Sequence, residues 1–206
     1  MLPASKVLVA TSNRGKLREF QALLANLQIV FLTPYDLGIE IEVDETGHTY
    51  MENASLKARA YCHLAKTPTL ADDSGLEVDA LGGAPGIRSA RYAPQPGATD
   101  ADRRQYLLEQ LHPFPRPWNA RFRCAIALAE ASGVLHFFMG ICEGQIIPEE
   151  RGEGGFGYDP IFLVEGKGQT MAELSFSEKN QISHRARALH AAYPTLVEVL
   201  SRSFTQ

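Results

Sequence analysis

Apolar residues in this chain recur in two rhythms. Val7 to Ala10 is a short continuous apolar run, the pattern of a buried strand, and Leu17, Phe20, Leu23, Leu24 and Leu27 follow at helical spacing. A strand, a tight turn and a helix over Gly15 to Leu27 are therefore predicted. Ile29 to Leu32 reads as a second strand, ended by Pro34. Thr49-Tyr50-Met51-Glu52 fits a capping box, so a helix is predicted from there to about Ala65. Lys66 to Ala71 is predicted as a strand that delivers Asp72 and Asp73 to its carboxyl end. After the Gly/Pro-rich stretch from Gly82 to Gly86, and Pro94 and Pro96, a short helix is predicted from Thr99 to Leu111. The runs Ala120 to Glu130 and Val134 to Cys142 flank Ala131-Ser132-Gly133 as a hairpin, which adds antiparallel strands to the sheet. Past the glycine-rich Gly152 to Gly157, Tyr158 to Leu163 reads as a strand. Ser177 to Ser201 reads as helix, with a break near Pro194.

The 206 residues, 45% hydrophobic and 21% charged, suffice for one large domain or two lobes around a continuous core. A formal charge of -4 argues against wide contact with nucleic acid, which needs a clustered basic face. No apolar stretch approaches the roughly 20 residues that span a bilayer, and no membrane partner is expected. Met1 to Lys6 lacks the basic and apolar regions of a targeting segment, so the cytoplasm is the expected compartment. Cys62, Cys124 and Cys142 are odd in number and far apart, which fits reduced thiols and neither a disulfide framework nor a C-x-x-C metal site.

The candidate chemistry begins with Ala71-Asp72-Asp73-Ser74-Gly75. Side chains alternate across a strand, so the two carboxylates point opposite ways and one of them faces the chemistry. Hard divalent cations such as Mg²⁺ use one or two protein carboxylates plus substrate phosphates, and Glu45 with Asp73 would supply that pair if the acidic loop folds over the sheet end; a solvated strand end is the plainer alternative. Thr11-Ser12-Asn13-Arg14-Gly15-Lys16 is not a P-loop, because Ala10 and Leu17 stand where glycine and a hydroxyl are required. The turn still offers helix-start N–H groups, hydroxyls and an ammonium, which suits either a phosphate or ordinary capping. Gly152-Glu153-Gly154-Gly155-Phe156-Gly157 formally matches a dinucleotide fingerprint, yet no strand immediately precedes it and Pro160 follows it. A loop that brings Phe156 near a base is the better reading, with a plain turn as the alternative. Ser183 is predicted as an N-cap with His184 and Arg185 in the first turn, where cations oppose the helix dipole and a local function explains them better than stability does.

Together, Thr11-Ser12-Asn13-Arg14-Gly15-Lys16, Glu45-Thr46-Gly47, Glu52-Asn53-Ala54, Lys57-Ala58, Ala71-Asp72-Asp73-Ser74-Gly75-Leu76, Phe156-Gly157-Tyr158-Asp159-Pro160 and Ser183-His184-Arg185 closely resemble the inosine/xanthosine triphosphate pyrophosphatase family. The ordered set runs through nearly the whole chain. The resemblance implies an α/β fold, an elongated mixed sheet flanked by helices, with two lobes of one domain around a central nucleotide-binding cleft, usually as a homodimer. It implies Mg²⁺-dependent hydrolysis of ITP, dITP and XTP to the monophosphate and pyrophosphate. By position, Thr11 to Lys16 and Lys57 are expected to hold phosphates, and Asp73 to be the catalytic carboxylate and metal ligand with Glu45. Ser74, Phe156, Gly157, Tyr158, Asp159, Lys179, His184 and Arg185 are expected to hold the nucleotide. Arg185, a donor only, is expected to bond O6 of hypoxanthine or xanthine and to oppose the amino group of adenine. The Asp102-Arg103-Arg104-Gln105 stretch and the Pro113-Phe114-Pro115-Arg116-Pro117 connection are slightly less typical of the family, which bears on the dimer and not on the chemistry. A pyrophosphatase for other modified nucleotides, or a non-catalytic nucleotide sensor, is a competing reading.

Overall fold

The computed structural model describes residues 5–27 and 29–202. Met1 to Ala4, read above as free of a targeting segment, lie outside the described residues. Six named strands form one mixed sheet in the order β2-β1-β3-β4-β5-β6. They are β1 (Ser5–Val9), β2 (Ile29–Leu32), β3 (Thr69–Val78), β4 (Trp118–Ala129), β5 (Leu135–Ile146) and β6 (Phe162–Val164). β1 pairs parallel with β2 and β3, while β5 and β6 are antiparallel. The helices are α1 (Arg14–Leu23), α2 (Tyr50–Ala65), α3 (Asp100–Leu111), α4 (Phe176–Ile182) and α5 (His184–Arg202). No helix among the described residues is long and apolar enough to cross a membrane.

The chain forms two compact units, and β3, β4 and β5 each contribute a segment to both. The first unit comprises the chain up to Asp73, Cys124–Gly140 and everything from Arg185. Its core joins Val7, Val9 and Leu70 of the sheet to Phe20 of α1 and to Ala188, Leu189, Ala192, Leu196, Val199 and Leu200 of α5. The second unit, Ser74–Arg123 with Ile141–His184, has a core of its own that includes Leu76, Val78, Phe122, Ile146, Phe162 and Met171.

Among the boundaries that differ from the sequence expectation, four have a local reason. α1 stops at Leu23, where the Leu24 N–H closes the last helical bond to Phe20 and tighter turns take over. β3 does not end before the paired acids but continues to Val78, so Asp72 and Asp73 lie within it. The carboxyl end that matters belongs to β1: the parallel register Leu8↔Thr69 and Val9↔Leu70 stops there, and the acids of β3 lie just beyond. Tyr158 to Leu163 is a 3-10 turn over Asp159–Ile161 followed by β6, because Pro160 fits a helical turn start and withholds an N–H from a strand ladder. Finally, the C-terminal break falls at Ser183, whose ψ of 156° is extended, and not at Pro194. Pro194 costs a helix interior about 3 kcal/mol. The buried apolar face of α5 offsets that cost in the first unit's core.

Candidate active site

In the first unit, the alternation of β3 sends its two acids to different surroundings. Asp72 shares the buried face with Arg185 and Glu19. Its Oδ2 lies 2.9 Å from the Lys16 ammonium and accepts from Nε and Nη2 of Arg185 at 3.2 Å each, and Nη1 of Arg185 bonds Glu19. Burial alone would raise the Asp72 pKa, but Lys16, Arg185 and Lys57 hold it well below the usual carboxylate range. Burial likewise opposes the Arg185 charge, and Asp72 and Glu19 more than restore it. A guanidinium 1% exposed with a donor from each nitrogen on a carboxylate is an internal linchpin. The sequence gives no hint of the tie to Glu19, which lies 166 positions away.

Asp73 belongs to the other face. The capping box of Thr49 and Glu52 sets the start of α2, which puts Asn53 and Lys57 one turn apart on a side that meets β3. Asn53 Nδ2 donates to Asp73 Oδ2 at 3.0 Å, and its Oδ1 accepts the Gly47 N–H at 2.8 Å. One side chain therefore fixes both the carboxylate and the loop that carries Glu45. Lys57 Nζ bonds Glu45 Oε1 at 2.6 Å and the Asp72 carbonyl at 2.7 Å. Burial raises the Asp73 pKa; Lys57 and the Asn53 bond oppose the rise, and Glu45 adds to it. Lys57 shifts upward despite burial, because Asp72, Asp73 and Glu45 favour its charge. Gly47 is required here, since a Cβ would stand 2.6 Å from Glu52 Cβ and 2.7 Å from Asn53 Oδ1.

The turn from Thr11 to Lys16 opens α1. Asn13 caps the helix, its Oδ1 accepting the Lys16 N–H at 3.0 Å, and Thr11 Oγ1 accepts the Asn13 N–H at 3.2 Å. The capping reading thus holds for Asn13. Ser12 and Arg14 are exposed, Thr11, Gly15 and Lys16 half-buried.

The second unit gathers a different set. Lys179, 4% exposed, pairs with Asp159 Oδ2 at 2.6 Å and lies 4.8 Å from the centre of the Phe156 ring. The same Asp159 oxygen accepts the Phe156 N–H at 2.9 Å. His184 is buried and stacks on Phe122 at 4.8 Å, and Ser74 is half-buried on β3. Tyr158 turns inward instead: its ring is in the second unit's core, its hydroxyl donates to the Ser89 carbonyl at 2.9 Å, and burial pushes its pKa up. Gly157 contributes only backbone, its N–H donating to Asp100 Oδ2 at 2.8 Å and its carbonyl accepting from Arg104 Nη1 at 2.9 Å. Sequence reasoning gave Asn53, Glu19, Asp100 and Arg104 no role. Only Asn53 carried a signal, through its place beside Glu52 and Lys57.

Paired lysines, a buried carboxylate with a raised pKa and a nearby second acid are the makings of a site that holds an anion and moves a proton. The comparisons with known proteins place the chain more closely. Residues 7–195 match the Ham1 family, and the chain belongs to it. It is 48% identical over 185 residues to a protein of Geobacillus kaustophilus named dITP/XTP pyrophosphatase, covering 89% of this chain and 90% of that one. A protein of the same name from Desulforamulus reducens is 46% identical over 202 residues, 97% of each. Among solved structures, a HAM1 protein from Coxiella burnetii superposes with a TM-score of 0.86 at 43% identity, covering 94% of this chain and 99% of the other.

Proposed function

We propose that this chain hydrolyses non-standard purine nucleoside triphosphates, dITP, XTP and ITP, to the monophosphate and pyrophosphate. The observation that carries the reading is the Asp73 environment: a buried carboxylate of raised pKa, fixed by Asn53, with Lys57 and Glu45 sharing its face. Relatives that match nearly the whole chain are named dITP/XTP pyrophosphatase, which supports the substrate class. Lys16, Lys57 and the N–H groups of the Thr11 to Gly15 turn hold the triphosphate and offset charge as the bond between the α- and β-phosphates breaks. Asp73 orients the attacking water and accepts its proton. Pyrophosphate leaves, and the water oxygen stays on the monophosphate.

Glu45 and Asp73 fit a hard divalent cation, since both are oxygen donors and Lys57 brings Glu45 to the face of Asp73. Mg²⁺ commonly uses one or two protein carboxylates beside substrate phosphates, and we assign Mg²⁺ to this pair. Bound there, it supplies Lewis-acid neutralisation of phosphate charge. Phe156, Asp159, Lys179 and His184 hold the nucleoside. Lys179 has donors only, so a 6-keto purine suits it and the amino group of adenine does not.

The test is release of pyrophosphate against orthophosphate from ITP, XTP, dITP, GTP and ATP, with Mg²⁺ and with chelator. Pyrophosphate from the first three, little from GTP and ATP, and none under chelation is expected. Orthophosphate release or equal rates on all five would remove the reading. Gly47→Ala is expected to shift the Glu45 loop and lower kcat by about 10²-fold at little cost in Tm, because misplacement of about 1 Å suffices for such a loss. Unchanged steady-state kinetics in this variant would mean that the loop does not position Glu45. We also assign the chain to the cytoplasm and to a homodimer; light scattering should give twice 22.6 kDa, and a monomer mass would remove the dimer.

A further inference from the structure

Asp100 and Arg104, outside the motifs that carry the family resemblance, lie in the second unit against the glycine-rich loop. The Thr99–Asp102 capping box fixes the first turn of α3, and Asp100 and Arg104, four residues apart, share a helix face. Arg103 Nη1 bonds the Ala98 carbonyl at 2.6 Å and its Nη2 bonds Asp100. Asp100 takes the Gly157 N–H while Arg104 donates to the carbonyl of the same residue. Arg104 is itself held by a fork, Nε and Nη2 on the two oxygens of Glu150 at 2.8 and 2.9 Å. One residue earlier, Asp159 holds the Phe156 N–H. Three side chains thus fix consecutive residues of a loop in which Gly152, Gly155 and Gly157 all have positive φ. Such a loop has much freedom to lose, roughly 1–2 kcal/mol per residue ordered.

We propose that Asp100 and Arg104 are positioning residues for the nucleoside end of the reaction, clamping the Gly157 peptide so that Phe156 is held ready for the base. The proposal rests on the assignment of Phe156 to the nucleoside. Pre-ordering the loop removes an entropic cost from binding and leaves the phosphate chemistry untouched, so its loss falls on KM.

Arg104→Ala, Phe156→Ala and the double variant test it, with steady-state kinetics on dITP and amide hydrogen exchange over residues 152–159. Arg104→Ala is expected to speed exchange in that loop and to raise KM about tenfold with kcat within about twofold. The double variant is expected to be no worse than Phe156→Ala alone. Raised KM in Phe156→Ala with unchanged KM in Arg104→Ala would overturn the clamp and leave the Phe156 assignment standing. Unchanged KM in Phe156→Ala would overturn both. Should Arg104→Ala lower the Tm, Glu150→Gln is read in its place: it retains the Gly157 bond but weakens the fork, and a KM rise of a few-fold supports the clamp while no rise overturns it.

Discussion

Asp73→Asn is expected to lower kcat on dITP by about 10³-fold, while the Tm at pH 7 stays level or rises. The amide keeps the shape and still accepts the Asn53 bond, but it cannot take a proton from water. The stability half follows from linkage. Burial raises the folded Asp73 pKa above its ordinary 3.8, so the folded state binds this proton more tightly than the unfolded chain does. That favourable contribution is complete below pH 3.8 and is lost as pH rises through the raised value. Asparagine does not titrate, so the Tm advantage of the variant should grow from acid towards neutral pH. Near-normal turnover in Asp73→Asn would remove Asp73 from the chemistry.

Arg185→Ala is expected to act through the fold. It strips the cation from Asp72 and Glu19, both buried. Breaking such an array from one side costs about 3–5 kcal/mol, which for a chain of this size is a Tm drop of roughly 10 °C. Without its guanidinium partner Asp72 falls back on Lys16 and draws that ammonium from the phosphates, so kcat should fall on every triphosphate alike. Thermal melts with ITP and ATP kinetics decide the matter: an unchanged Tm with a narrowed ITP/ATP ratio would return Arg185 to purine recognition. Asp72 sets the matching acid limit. Its lowered folded pKa contributes stability that is present above 3.8 and is lost as pH falls below it.

Much of this was legible because it is local. Thr49-Tyr50-Met51-Glu52 carries its own capping logic, and α2 runs from it to Ala65 as expected. Alternation along β3 correctly separated Asp72 from Asp73. What escaped depends on long-range partners. The destination of Arg185 is set by Glu19 and Asp72, 166 and 113 positions away, and no spacing rule reaches so far. Asp100 and Arg104 resemble ordinary helix-surface charges until the loop that they grip, more than 50 positions later, is in place. The α5 boundary was missed for another reason: proline was read as a breaker, whereas the buried face of that helix outweighs it.

The register of β3 against β1 also decides which acid does which work. Leu8↔Thr69 and Val9↔Leu70 fix the pleat, and with it the side to which each carboxylate turns. A slip of one residue would exchange them, giving Asp73 the counter-charges of Lys16 and Arg185 and leaving Asp72 with Asn53. The two roles would pass from one carboxylate to the other, while Leu70 and the other core side chains of the strand would turn away from the first unit's core. Insertions or deletions of one residue between Val9 and Asp73 that shift this pairing are therefore errors of packing before they are errors of chemistry, and two adjacent, chemically identical side chains owe their different fates to strand parity.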